Sequence, residues 1–590
     1  MLRQVRGRVS KGTVLTARIG GAMSESDAPS GLPFSGPPEL TLPVLLNALR
    51  VGAHDPRIAH LHLRIDALAC GWAKVFEMRR HLDYFRASGK GITVFMETGG
   101  PKEFFLGMGF ALYVAPEGGL GLRGFAASGS YVGGVLEKIG VAPQVERIGK
   151  YKSAGDQLAR RDMAPAQREV INSLLGETHN TWTKSVCEAI GISESELAAF
   201  VDRSPWEMNE YVEAGLITGI CYESDVEDQL KIRFGKGPFK KEEEVVKQPL
   251  NSVDVRRYVR RNTEKMVGIG GGKKIAVIRA VGAITSGKNG SSPVTGNTLG
   301  SESLVELIRK VRDDKRYVAC LLRCDSPGGS ALASDIMWSE LKKLAAVKPV
   351  LASQSDVAAS GGYYISMACE IIAEPLTITG SVGVVTVKPS LGELYRKIGY
   401  TKENISVGSK YAELLVDDRP FTEEESEYYR DGAMQAYKKF VNKAAQSRGK
   451  TYEEMHAVAQ GRVWTGLQAK QQGLVDYLGG IGRGVEILKE KAKLGADEYV
   501  RLDVVRNPVS LAARLGLKSA STQARHEASV MASLRQPLAL AEVDASLGGL
   551  SPLTRFVVDA TLAPLSQNFG FWTNRMPALE TILRTLLRDA

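Results

Sequence analysis

Histidine is scarce: the chain of 590 residues has seven, and none lies between His179 and His456. That long middle stretch therefore holds no local pairing of serine or cysteine with histidine, the usual means of activating a nucleophile. Cysteine is scarce too. Six residues without CxxC spacing speak against a zinc site or a disulfide framework and for buried thiols, with Cys320 and Cys324 alternating in a strand-like run. His60 and His62 alternate on another strand, but no third ligand accompanies them, so no metal is expected. No uncharged apolar run reaches the roughly 18 residues that span a bilayer, which excludes an integral anchor from the expectation and leaves peripheral membrane association open. The formal charge of +10 comes with acids and bases intermixed and with no basic patch interleaved with aromatics, so nucleic acid is not an expected partner.

What the chain does contain is one pattern written twice, about 259 residues apart. Val14 through Ala22 matches Ile275 through Ala283, an apolar run turning at glycine that reads as the opening strand of each copy. Asp55, Arg57 and Arg64-Ile65-Asp66 match Asp314, Arg316 and Arg323-Cys324-Asp325. Lys138-Ile139-Gly140 answers Lys397-Ile398-Gly399, and Trp206 with Gly215-Leu216 answers Trp464 with Gly473-Leu474. The first 23 residues are basic and free of acids, superficially like a transit peptide, but the strand match makes Val14–Ala22 part of the fold.

Strand-like runs (His60 to Ile65, Gly91 to Met96) alternate with helical patterns (Ala73 to Phe85, Arg168 to Ile190), which predicts an α/β fold with a largely parallel sheet. A composition of 44% hydrophobic and 24% charged residues is that of a globular chain with room for two or more domains. The expected organisation is a first unit over 1–250, a linker over 251–273 with its glycine run, a second unit over 274–505, and a helical tail over 506–590 of unknown role.

In the second unit the strand candidate Val318 to Cys324 ends at Asp325-Ser326-Pro327-Gly328-Gly329-Ser330. Paired glycines after a strand let backbone N–H groups approach a ligand closely, as an oxyanion site requires. The next strand, Val350 to Gln354, leads to Ala359-Ser360-Gly361-Gly362, a serine flanked by small residues at a helix start. This is not the GxSxG elbow, and the isolated string also reads as an N-cap serine. With histidine absent, lysine is the remaining base, and burial can depress its pKa by up to about 3–5 units. Gly149-Lys150-Tyr151-Lys152-Ser153-Ala154 looks like the end of a strand, on which Lys150 and Lys152 share a face; on chemistry alone either could serve.

The two copies are complementary. Ser360 falls opposite Lys102 of the first copy, and Ser326-Pro327-Gly328-Gly329 falls opposite Ala67-Leu68-Ala69-Cys70, so the first copy has neither the serine nor the glycine turn. Conversely, Lys152 falls opposite Tyr411 of the second copy. One composite site per chain is expected.

The strings Asp325 to Gly329, Ser355 to Tyr364, Thr379-Gly380-Ser381-Val382-Gly383, Gly149 to Ala154 and Gln460 to Gly466 together resemble the signal peptide peptidase A family in its long tandem-repeat form. The resemblance runs from about residue 9 to 505 and is strongest to the plastid version, which shares Cys70-Gly71-Trp72 and Gly149 through Leu158. It implies a tandem duplication of a Clp-protease/crotonase-like domain, a Ser/Lys dyad and a likeness to bowl-shaped homotetramers at membranes. Carried over by position, it makes Ser360 the nucleophile and Lys152 the general base. Gly328 or Gly329, with Gly361, would be the oxyanion donors, and Ser381 would orient the lysine. It also implies a serine endopeptidase acting on cleaved signal peptides and other membrane-associated peptides at the plastid thylakoid, with no metal or organic cofactor. Two alternatives use the same residues differently: a crotonase-like acyl-CoA hydratase or isomerase, and a noncatalytic scaffold at a membrane.

Overall fold

Tyr317–Ser326 is buried along nearly its whole length and Ile58–Leu68 over most of its own, and such strands are stable when both faces of a parallel sheet are covered. The computed structural model describes residues 9–25, 40–235, 241–266, 273–292, 296–496 and 498–506. In it these runs are the centres of two sheets. The first has six strands in the order Gly219–Ile220, Ala111–Leu120, Gly91–Gly99, Ile58–Leu68, Thr13–Gly21, Ser252–Asp254. The path through the second is Val463–Thr465, Ile378–Gly380, Val350–Ala359, Tyr317–Ser326, Lys274–Val281, Arg501–Val504. The two central runs of strands are parallel and laid out alike, so the sequence repeat is a repeat of the α/β fold.

The segment expected as a linker begins differently. Ser252–Asp254 pairs with Thr13–Gly21, the place that Arg501–Val504 takes beside Lys274–Val281 in the second sheet. The helix Val255–Met266 follows, with Val255 and Tyr258 buried in the first core and Tyr258 Oη donating to Asp55 at 2.9 Å. A three-residue strand is too short to show a period, and the arginines of Arg256 to Arg261 hide the helix's few apolar positions. The tail expected beyond residue 506 lies outside the described residues. All six cysteines are unpaired, and Cys320 and Cys324 are fully buried. His60 and His62 are buried as well, with His60 Nε2 2.8 Å from Thr93 Oγ1.

Among the features that join the units, two bear on the site. Ala142–Ile148 of the first forms an antiparallel ladder with Val384–Ser390 of the second, pairing Ile148 with Val384 at one end. That end carries the residues leading to Lys152 beside those that follow Ser381. The second feature is a buried polar seam. Arg323, at the centre of the second sheet, pairs with Glu25 and Glu77 of the first unit, each at 2.6 Å, and also donates to Ser353 and Ser355. Lys74 reaches Asp325 at 2.8 Å and Asp356 at 3.3 Å, while the Asp356 carboxylate accepts from the Gly71 and Lys74 N–H groups and so caps the helix Trp72–Ala87. Burial works against the Lys74 ammonium, yet Asp325 and Asp356 hold its pKa above the ordinary value. Asp325 and Asp356 stand just before the glycine turn and the Ser360 loop, so a lysine of one unit ties together the two loops of the other.

Candidate active site

Ser360 is the hinge between the strand Val350–Ala359 and the helix Gly361–Ser366, and its backbone is at φ 54°, ψ −116°. For a residue with a side chain this is a strained conformation, costing about 1–3 kcal/mol, and it persists because its surroundings impose it. Ser360 N–H donates to the Gly380 carbonyl at 2.9 Å, and its own carbonyl accepts from Tyr364 N–H at 2.8 Å. The result is a strained strand–serine–helix turn without the GxSxG string. As the first residue of its helix, Gly361 has an N–H that the helix itself does not engage, and among the described residues no backbone acceptor meets it.

The glycine turn packs against this serine. A Cβ placed on Gly328, whose φ is 103°, would lie 2.8 Å from Ser360 Cβ and 2.7 Å from Gly361 N, so a side chain has no room there. Gly328 N–H donates to Ser326 Oγ at 3.2 Å, and its carbonyl accepts from Ile284 N–H at 2.8 Å. Gly329 lies alongside Ile284 in a parallel bridge, and among the described residues no acceptor meets its N–H. Of the two glycine N–H groups proposed from sequence, Gly329's is thus the one at liberty.

Lys152 comes from the first unit. The strand ends at Ile148, and Gly149 to Lys152 form a turn in which Lys152 N–H donates to the Gly149 carbonyl at 3.2 Å. The strand alternation expected to put Lys150 and Lys152 on one face therefore does not apply. Lys150 points outward toward Glu169, whereas Lys152 is only 6% exposed. Lys152 Nζ lies 3.2 Å from Ser360 Oγ, 2.9 Å from Ser381 Oγ and 3.1 Å from the Ser381 carbonyl. Burial lowers its pKa to about 8, which leaves a substantial share of the amine neutral in mildly alkaline solution. A neutral amine at this distance can take the serine proton, and Ser381 fixes the direction of its lone pair.

Opposite Ser360 in the first unit, the equivalent space is filled. Lys102 Nζ donates to the Cys70 carbonyl at 2.6 Å, and the Glu103 carboxylate accepts from Leu68 N–H at 2.7 Å and Gly100 N–H at 2.8 Å. Donors of the kind left open in the second unit are occupied by a side chain here. Tyr411, opposite Lys152, stacks on Tyr428 with ring centroids 4.0 Å apart. Among the described residues no group of three or more His, Cys, Asp and Glu is arranged to hold a metal. The sequence reading did not assign Lys74, Arg323 or Arg462, whose partners are distant in the chain; the string Gln460 to Gly466 was the one available signal for Arg462.

Known proteins resemble the chain in both of its units. Peptidase family S49 matches residues 85–235 and 342–495, one segment in each unit. A chloroplastic serine protease SPPA of Arabidopsis thaliana is 44% identical over 510 residues, covering 85% of this chain and 72% of that protein. Protease 4 of Salmonella typhi is 32% identical over 81% of this chain and 77% of its own length, and protease 4 of Haemophilus influenzae 28% over 71% and 68%. Among solved structures, a ClpP1 mutant of Listeria monocytogenes is matched over 35% of this chain and 94% of its own, with 15% identity and a TM-score of 0.22. With the family domain present in both copies of the α/β fold, the chain belongs to peptidase family S49 and is a serine-type peptidase.

Proposed function

We propose that Ser360 and Lys152 are the catalytic dyad and that the substrates are peptides released at or within membranes, cleaved signal peptides among them. The observation that carries this reading is the buried lysine with a pKa near 8 placed 3.2 Å from the strained serine. Neutral Lys152 removes the Ser360 proton as Oγ attacks the peptide carbonyl. The oxyanion lies between the N–H groups of Gly329 and Gly361, with Gly328 shaping the turn beneath it. Protonated Lys152 then gives its proton to the leaving amine, the C–N bond breaks, and water hydrolyses the acyl-enzyme by the same route. Ser381 holds the amine throughout. The proton that leaves with the amine comes from Ser360, and the attacking water, deprotonated by Lys152, returns one to the serine.

The likeness to a chloroplastic serine protease supports a plastid location, and we place the enzyme at the thylakoid surface as a homotetramer bound peripherally. Among the described residues no helix is long and apolar enough to cross a membrane. Cleavage of a synthetic signal peptide by the purified chain, lost in both Ser360→Ala and Lys152→Ala, tests the dyad. Retained cleavage in either variant overturns it. Activity on an acyl-CoA thioester that survives Ser360→Ala would instead favour the crotonase-like reading.

A further inference from the structure

The string Gln460-Gly461-Arg462-Val463-Trp464 stands out in sequence, yet none of its side chains enters the dyad. It forms a turn that touches both halves of the site. Gln460 and Gly461 are both left-handed, at φ 52° and 76°, a strained pair for which only the second residue is suited. On one side the Gln460 carbonyl accepts from Tyr151 N–H at 2.9 Å, in the segment that carries Lys152. On the other, the Arg462 carbonyl accepts from Ser381 N–H at 2.7 Å, and Gly461 N–H donates to the Val382 carbonyl at 2.8 Å. The turn is also pressed against the lysine itself: a Cβ on Gly461 would stand 2.5 Å from Lys152 Cβ.

The Arg462 side chain closes this arrangement over the boundary between the units. Its guanidinium lies 4.9 Å from the centre of the Tyr151 ring and 4.4 Å from that of Trp464. It pairs at 2.6 Å with Glu169 on the helix Pro165–Ile190 of the first unit, and Glu169 also accepts from Tyr151 Oη at 3.0 Å. Tyr151 immediately precedes the base. A planar group that stacks between two rings while donating to a carboxylate is something arginine provides and lysine does not.

We propose that Arg462 is a positioning residue for the dyad: clamped between Tyr151, Trp464 and Glu169, it holds the turn that presses Lys152 of the first unit against Ser381 and Ser360 of the second. This rests on the Ser/Lys reading above. Without the clamp the Lys152 segment moves away from Ser381, water reaches the amine, and the dry surroundings that make it a base are lost.

Charged and titratable groups on the elements around Lys152 include Lys150, Tyr151, Asp156, Arg147, Glu146, Glu169 and Arg462, with Arg147 paired to Asp156 at 2.7 Å and Glu146 to Arg430 at 3.1 Å. Burial alone accounts for the lowered pKa of Lys152. Direct electrostatics and clamp loss therefore predict different signs. Removing the negative charge of Glu169 would by direct electrostatics lower the lysine pKa, whereas loosening the clamp raises it. Arg462→Lys keeps the charge, so direct electrostatics leaves the pKa in place and loosening again raises it.

The test is the pH dependence of Ser360 labelling by an alkyl fluorophosphonate in the full chain, for wild type, Lys152→Ala, Arg462→Lys and Glu169→Gln. Wild type should show an acid limb near about pH 8 that disappears with Lys152→Ala; without that limb the dyad reading itself fails, separately from the clamp. Given it, the clamp predicts that both Arg462→Lys and Glu169→Gln shift the limb upward by about one unit, slowing labelling about tenfold at neutral pH with rates converging in alkali. A limb that stays in place or moves down in Glu169→Gln overturns the proposal. So does a uniform slowing at every pH. Glu169 is about half exposed, so its variant remains informative should Arg462→Lys not fold.

Discussion

Lys152 Nζ and Ser360 Oγ lie 3.2 Å apart although 208 residues separate them in the chain and each belongs to a different copy of the repeat. The ladder Ala142–Ile148 with Val384–Ser390 makes this possible, because its end brings the turn bearing Lys152 beside Ser381. Neither copy holds a site alone.

As the proposed base, Lys152 would work only when neutral, and burial lowers its pKa to about 8. Peptide cleavage at limiting substrate should rise with pH through that value and fall about tenfold per unit well below it. A rate unchanged between about pH 5 and 9 contradicts the assignment.

The same depression has a stability consequence. Between the folded value near 8 and the ordinary 10.5 the unfolded chain binds more protons, so stability rises with pH across that window, and below it the penalty for the buried ammonium is at full size. Lys152→Met should therefore be more stable than wild type at neutral pH by up to about 3 kcal/mol, less what its lost contacts with Ser381 cost. Urea unfolding at neutral pH and again near about pH 10.5 measures this, and the advantage should vanish in alkali.

Gly328→Ala sets a methyl group 2.8 Å from Ser360 Cβ and 2.7 Å from Gly361 N, too close to hold, so the glycine turn and the Ser360 loop must shift apart although neither dyad side chain is replaced. Turnover should drop by about 10²–10³, the loss expected when an oxyanion site is spoiled. An unaffected turnover number would mean that the glycine turn plays no part in catalysis.

The Arg323 seam is structural. Replacing Arg323 with Met leaves the Glu25 and Glu77 carboxylates buried without their main partner and should cost about 3–5 kcal/mol. Thermal unfolding of Arg323→Met and of the triple variant Arg323→Met, Glu25→Gln, Glu77→Gln separates the two causes. The triple variant should recover a large part of the loss.

Much of the site was legible because the copies are imperfect. Lys102 standing where Ser360 stands, and Tyr411 where Lys152 stands, are what point to one composite site, and in the structure each makes other contacts, Lys102 with the Cys70 carbonyl and Tyr411 with the Tyr428 ring. The long buried strands were legible from apolar runs. What was not legible depends on pairs without sequence proximity: Arg323 meets Glu25 across 298 residues, and the Arg462 clamp reaches Glu169 across 293. Lys150 and Lys152 were indistinguishable while the segment was read as a strand; the turn that begins at Gly149 sends one into solvent and the other into the site. Likewise Gly328 and Gly329 were indistinguishable as donors, because the Ser326 hydroxyl that engages the first N–H is a tertiary detail of the turn.

The central claim is one composite dyad within each chain, and signal-peptide cleavage by wild type, Ser360→Ala, Lys152→Ala and an equimolar mixture of the two variants tests it most directly. Wild type should cleave, each variant should be silent, and the mixture should stay silent because every chain supplies both of its own partners. Cleavage by either variant alone, or activity regained on mixing, would contradict the account.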